Sequence, residues 1–419
     1  MAVLQGADIL LPADTVDVKK WAVIACDQFT SQPKYWNQVE SFVGDEWSTL
    51  HMIYPEVYLS TDNGTVYKER IRKIQNYMEN CLKDGILAER IHQGYVLTVR
   101  ETDAGTRVGL LAALDLEAYD YSRNAKSRVR ATEATVQARI PVRVGIREGA
   151  PVEIPHVMML LDDIQCRLIE PLYDRRDTLP KLYNTDLMMG GGRVSGYAVE
   201  GAEAEELTSV LEEMEKENDG IFLAVGDGNH SLAAAKACWE EVKKSLTEEE
   251  CINHSARYAL VEVVNIHSPA LAFYPIHRIV FGGNREAVAG DFCEWLQSCG
   301  ICWNETREAS EADVTFVQKE WTYHLRLTDT KGRLAVEILQ GFLDEYLRAH
   351  SELCLDYVHD EQAVVKLSEE QSACGILLRA VDKRILFSAI AAGGVLPRKT
   401  FSIGEDYQKR YYMECRRLS

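Results

Sequence analysis

The chain has 419 residues, 46% hydrophobic and 26% charged. At roughly 150 residues per domain that makes two to three domains, with a core large enough to fold without metal or disulfide staples. Lys and Arg number 46 against 65 Asp and Glu, a net charge of −19. A surface this acidic repels phosphate backbones and anionic lipids at long range, which counts against nucleic acid as a partner.

No apolar run reaches the ~18–20 residues that span a bilayer. The opening Met1-Ala-Val-Leu-Gln-Gly lacks the basic-then-apolar pattern of a leader. The 11 cysteines, an odd number scattered from Cys26 to Cys415, read as reduced thiols. These features predict a cytoplasmic protein with no membrane partner. Cys299-Gly-Ile-Cys302 has no second pair and reads as a loop beside a helix.

Along the chain, Ile71, Ile74, Met78, Cys81 and Leu82 recur at three-to-four spacing and predict a helix over 63–93. Tyr95–Val99 and Gly109–Leu114 have strand composition. Val157–Leu161 is an apolar run closed by Asp162-Asp163, as a buried strand would be. Residues 203–218 predict an acidic amphipathic helix stopped by Gly220. Ile221–Val225 follows as a strand and Asn229–Val242 as an Ala-rich helix. Residues 257–266 and 321–327 read as strands and 334–349 as a helix. The alternation predicts an α/β or mixed α+β architecture. No repeat or linker marks a boundary, and the tail from Gly393 is locally basic.

The sharpest motif is Ile221-Phe-Leu-Ala-Val-Gly-Asp-Gly-Asn-His-Ser231 at the strand-to-helix junction. The first N–H groups of a helix lack intrahelical partners and, with the helix dipole, attract anions. Asp227 can hold a divalent cation there, and His230 can donate to a phosphate oxygen. An ordinary turn capped by Asn or Asp has the same spacing. No Walker A lysine follows, so the segment is not a P-loop.

Arg128, Arg130, Glu133, Arg139, Arg143 and Arg147 form a second cluster. A glutamate among arginines stays ionised and can act as a base on a presented hydroxyl. A solvated helix face is the plainer reading. Gly190-Gly-Gly192 departs from the dinucleotide-binding spacing and reads as a loop. His277-Arg278 can supply positive charge to a phosphoryl oxygen, and the basic tail with Lys399 and Lys409-Arg410 is a further positive cluster whose plainer reading is a solvated surface. No H-E-x-x-H or G-x-S-x-G is present.

Leu50–Glu56, Thr132-Glu133-x-Thr135, Asp227-Gly-Asn-His230, Pro275–Arg278 and the Pro397–Cys415 tail occur in that order. In this combination the chain resembles the bacterial and archaeal domain-of-unknown-function family 1015 over nearly its full length. That family is distantly similar to free-serine kinases of the ParB/sulfiredoxin-like superfamily. The resemblance implies a ParB/sulfiredoxin-like core with a mixed sheet at 121–283, flanked by α/β segments at 1–120 and 284–419. It implies a small-molecule kinase with Glu133 as base and Asp227, Gly228, Asn229, His230 and Ser231 as the phosphate and metal loop. Mg²⁺ is then the expected metal, and ATP, ADP or pyrophosphate the donor. The alternative is a regulatory module that binds nucleotide or phosphate without turnover.

Three positions depart from the kinase pattern. Asn229 replaces a histidine, Ser231 an arginine, and Thr132 the histidine before the glutamate. Losing the arginine removes a charge-assisted phosphate clamp, worth about 1.5–3 kcal/mol per hydrogen bond. Arg130, Arg278 and Lys399 are the candidate replacements.

Overall fold

The computed structural model describes all residues except 1, 60, 136–139, 283, 320, 371–372 and 419, and for Arg285 and Glu370 the backbone alone. Its chain divides into two compact units, Met1–Ala272 with Gly404–Ser419, and Phe273–Ile403. The protein is a mixed α/β molecule.

The first unit contains, in chain order, β1 (Leu4–Gln5), β2 (Ala7–Pro12), α1 (Pro33–Val43), α2 (Gly64–Lys83), β3 (Leu87–Thr102), β4 (Gly105–Asp115), β5 (Tyr119–Asp120) and β6 (Val129–Ala131). Then come α3 (Ile140–Arg147), β7 (Val152–Glu153), β8 (Met158–Leu161), α4 (Glu170–Asp174), β9 (Lys181–Asp186), β10 (Arg193–Val199), α5 (Ala202–Glu217), β11 (Leu223–Asp227), α6 (Asn229–Val242) and β12 (Tyr258–Asn265). The helix expected over 63–93 ends at Lys83. Gly85 takes φ +68°, which stops the helix, and Leu87 opens a 16-residue strand. The remaining elements named from the sequence lie within a few residues of their expected places.

The sheet runs β5-β6-β11-β8-β12-β4-β3-β10-β9, with β1 added on β4 and β2 on β3. It is mixed: β6 and β11 are parallel, as are β8 and β12, while β11–β8 and β12–β4 are antiparallel. Its central strands are apolar on both faces (Leu110–Leu114, Met158–Leu161), as a sheet covered on both sides requires. Leu207 and Leu211 of α5 and Leu232 and Trp239 of α6 pack on one core cluster. Buried Ala233 and Ala234 let α3 approach α6 through Ile140. The Gly190–Gly192 stretch closes the β9–β10 hairpin: Gly190 and Gly192 have φ +71° and +82°, and the Leu187 N–H bonds the Gly192 carbonyl.

The second unit has its own six-stranded antiparallel sheet, ordered 302–305, 321–329, 314–318, 373–378, 277–281, 354–358. Helices Arg285–Ser298 and Ala335–Ala349 bury Phe292, Leu296, Leu339 and Phe342 against it. Cys299 and Cys302 flank the turn from the first helix to strand Cys302–Glu305, and both are free thiols.

Candidate functional site

Parallel pairing brings two loops to one end of the first-unit sheet. Ala131 of β6 lies opposite Val225 of β11. The residues that follow, Thr132-Glu133 and Asp227–Ser231, therefore leave the sheet side by side. Strand β8 runs against β11 with Met158 opposite Asp227, so His156 and Val157 arrive at the same end. Ligand sites of open α/β sheets form at such carboxyl ends.

Gly228 makes the turn into α6 with φ +83°, and a Cβ there would sit 3.0 Å from Val157 Cα. Only glycine meets both conditions without strain. Among the described residues no N-cap side chain bonds the start of α6. Asp227 Oδ1 accepts the Gly228 N–H at 2.9 Å. Asn229 Oδ1 is buried with no hydrogen-bond partner among the described residues. Ser231 Oγ lies 3.1 Å from His156 Nε2 and accepts Arg143 Nε at 3.3 Å. Arg143, on α3, also reaches Glu56 at 2.7 Å and Asp27 at 3.4 Å.

The C-terminal tail pairs with residues beside this end of the sheet. The Ala25 N–H donates to the Lys409 carbonyl at 2.8 Å, and the Tyr411 N–H to the Val23 carbonyl at 3.0 Å. The Tyr412 N–H donates to the Pro155 carbonyl at 3.0 Å. The Tyr411 ring stands edge-on to His156, 4.6 Å between centroids. Cys26, Arg143, His156, Ser231 and Tyr411 are among the residues lining a largely apolar cavity of about 110 Å³, which Glu133, Asp227 and Lys409 do not line.

Burial would raise the Asp27 carboxyl, but Arg143, helped by His156 and Gln28, holds it at about 2. His156 is pushed down by burial, against the pull of Asp27 and Asp227, so it is neutral at pH 7. Burial opposes the charge on Lys409, yet the carboxylates of Asp227, Asp406, Asp27 and Glu133 overcome it and raise its pKa. Burial pushes the Cys26 thiol up to about 12, which makes it a packing group and not a nucleophile.

The structure brings Glu133, Asp227, Gly228, Asn229, His230 and Ser231 to one sheet end. Arg130 turns back to the start of its own strand, with Nε donating to the Ser127 carbonyl at 2.8 Å. His277, Arg278 and Lys399 belong to the second unit. There the His277 Nδ1 accepts the Leu378 N–H at 3.1 Å, and burial pushes the ring down to about 4. Arg278 is fully buried over the Tyr357 ring and donates to Gln340 at 3.3 Å. Lys399 is exposed.

The arginine cluster is not one helix face. Arg128 and Arg130 belong to the β6 segment, Arg143 and Arg147 to α3, and Arg139 lies outside the described residues. The sequence assigns no role to Asp27 or His156, carries Glu56 only within the Leu50–Glu56 segment, and offers Lys409 only as part of a basic tail whose plainer reading is a solvated surface. The available signals were His156 immediately before the Val157–Leu161 run, and the alternation Lys409-Arg410-Tyr411-Tyr412 in an acidic chain.

Among solved structures the chain is similar to a free serine kinase in complex with ADP, at 12% identity and a TM-score of 0.40, over 74% of this chain and 92% of that one. It is similar to a conserved hypothetical protein from Pyrococcus furiosus, at 11% identity and 0.36, over 70% and 90%. A third likeness is to SbnI with a C-terminal truncation from Staphylococcus aureus, at 9% identity and 0.38, over 70% and 82%. No curated protein matches. The profile of the family described as "Protein of unknown function (DUF1015)" matches residues 10–346, and the chain belongs to that family.

Proposed function

We propose that the first unit is a phosphotransferase moving a phosphoryl group from a nucleotide or pyrophosphate to the hydroxyl of a small metabolite, with free serine as the acceptor to test first. One observation carries this reading: parallel pairing of β6 and β11 sets Glu133 beside the Asp227–Ser231 loop. A carboxylate next to an uncapped helix start is the pairing that proton removal and phosphate positioning need.

In the reaction Glu133 takes the proton of the acceptor hydroxyl. The acceptor oxygen bonds to the terminal phosphorus, and the bond from that phosphorus to the bridging oxygen breaks. ADP, AMP or inorganic phosphate leaves, according to the donor. The N–H groups at the start of α6, with His230, bind the donor's phosphate oxygens.

The donor set suits Mg²⁺. Asp227 offers a carboxylate and Asn229 a buried oxygen that lacks a partner among the described residues. Mg²⁺ needs only one or two carboxylates, taking phosphate and water oxygens for the rest. When bound it neutralises charge on the transferring phosphates.

The test incubates the protein with serine, Mg²⁺ and ATP, ADP or pyrophosphate in turn. Wild type should consume one donor at least a hundredfold faster than Glu133→Gln. Equal rates with all three would end the reading. One observation favours the second reading, binding without turnover: Ser231 occupies the arginine position and its hydroxyl is engaged by Arg143 and His156. Calorimetric donor binding by both proteins, with no product from either, would support that.

A further inference from the structure

We propose that Lys409 is the cation that binds the donor's terminal phosphate, carried into the site by the tail that follows the second unit; this rests on the phosphotransfer reading above. The kinase-like loop lacks its arginine, and Ser231 at that place cannot carry charge. Some other cation must meet the phosphate.

Tail geometry selects which one. Residues 409–411 pair with 23–25 as an extended segment, bridged at Ile24 and Arg410. In extended backbone alternate side chains share a face. The Tyr411 ring stands against His156, whose Nε2 lies 3.1 Å from Ser231 of the loop. Lys409, two residues earlier, shares that face and lies in the field of both Asp227 and Glu133. Arg410 points the other way, with Nε donating to the Tyr407 carbonyl at 3.1 Å. Of the two neighbouring tail cations only Lys409 faces the loop, and Arg143, beside Ser231, is already paired with Glu56 and Asp27.

Its surroundings separate this role from that of a plain ion pair. Asp406, at 3.7 Å, is one carboxylate near it; Asp227, Asp27 and Glu133 are three more. Its side chain is only 15% exposed. The carboxylates keep this half-enclosed ammonium charged, so it remains a fixed positive group within the acidic site. Lysine serves such sites as a point charge.

The test uses pyrophosphate with Mg²⁺. By calorimetry, Lys409→Met should weaken binding at least tenfold, Lys409→Arg should stay within about threefold of wild type, and Glu133→Gln should bind at least as tightly as wild type yet fail to turn over when serine is added. Because Lys409→Met may not fold, acylation of the wild-type protein is the second measurement. Saturating pyrophosphate should protect Lys409 and leave Lys244, at the far end of α6, unchanged. Wild-type binding by Lys409→Met, or no protection of Lys409 while pyrophosphate is bound, overturns the proposal and leaves the phosphotransfer reading standing. Wild type that neither binds nor turns over any donor overturns both.

Discussion

Thr132 Oγ1 donates to the Val225 carbonyl at 2.7 Å, tying the last turn of one parallel strand to the last turn of its neighbour. The bond is buried and sits one residue before Glu133 and two before Asp227. It fixes the spacing between the two loops at the point where the ladder ends. Thr132→Val keeps the shape and removes the donor, at a cost of about 1 kcal/mol. Urea denaturation should show that loss, and turnover should fall further than stability alone explains. A variant with unchanged midpoint and unchanged rate would show that the spacing is held elsewhere.

Gly228→Ala should damage the loop at the start of α6 directly. The position has φ +83°, and the new Cβ would meet Val157 Cα at 3.0 Å. Backbone in that region costs a non-glycine residue about 1–2 kcal/mol before any contact is counted. Relief requires the loop or the start of β8 to move. Pyrophosphate binding should therefore drop well beyond the change in melting temperature. Thermal unfolding with and without pyrophosphate measures both.

Arg143→Met strands two carboxylates. Glu56 and Asp27 would lose their shared guanidinium, and Glu56 is nearly fully buried. Breaking a buried pair from one side costs about 3–5 kcal/mol. Adding Glu56→Gln should restore part of that stability, which a double-mutant cycle in urea would read. No recovery in the double variant would mean that packing of the long side chain, and not its charge, was lost.

Stability should fall between pH 4.5 and 7 through Glu414. This side chain is fully buried, accepts the Tyr183 hydroxyl at 2.6 Å, and has its pKa raised by burial to about 7. The folded protein thus holds this proton when the unfolded chain, at 4.5, has released it. The favourable contribution is complete below pH 4.5 and is lost as pH rises through 7, by up to roughly 3 kcal/mol. Glu414→Gln should flatten that limb and be the more stable protein at pH 8. At the acid end Asp27 acts in the opposite sense. Its pKa is held at about 2 by Arg143, so its contribution disappears as pH falls from about 4.

The loop at Asp227–Ser231 was legible because a strand, a glycine and an Ala-rich helix leave a local signature. So were α5, α6 and the second-unit helix Ala335–Ala349, whose apolar spacing decides their faces. The end of α2 was misjudged because Ile86 and Leu87 continue an apolar pattern after the helix has stopped. Partners of Arg143 were not readable, since Asp27 and Glu56 stand about a hundred residues away and pair with it only through tertiary folding. The same holds for the tail. Nothing local says that Lys409 pairs beside Ala25, or that Phe273–Ile403 packs as a unit of its own between them.

That separation sets an order of events during synthesis. The walls built from Ala25–Asp27, Glu56, Arg143 and Ser231 emerge from the ribosome first, and Lys409 only after all of Phe273–Ile403 has been translated. At about 5–20 residues per second the gap lasts on the order of ten seconds. During that interval Arg143 is present to meet Glu56 and Asp27, while Asp227 and Glu133 still lack the ammonium that neutralises them in the finished chain. A chain that stalls inside the second unit would keep that imbalance of charge.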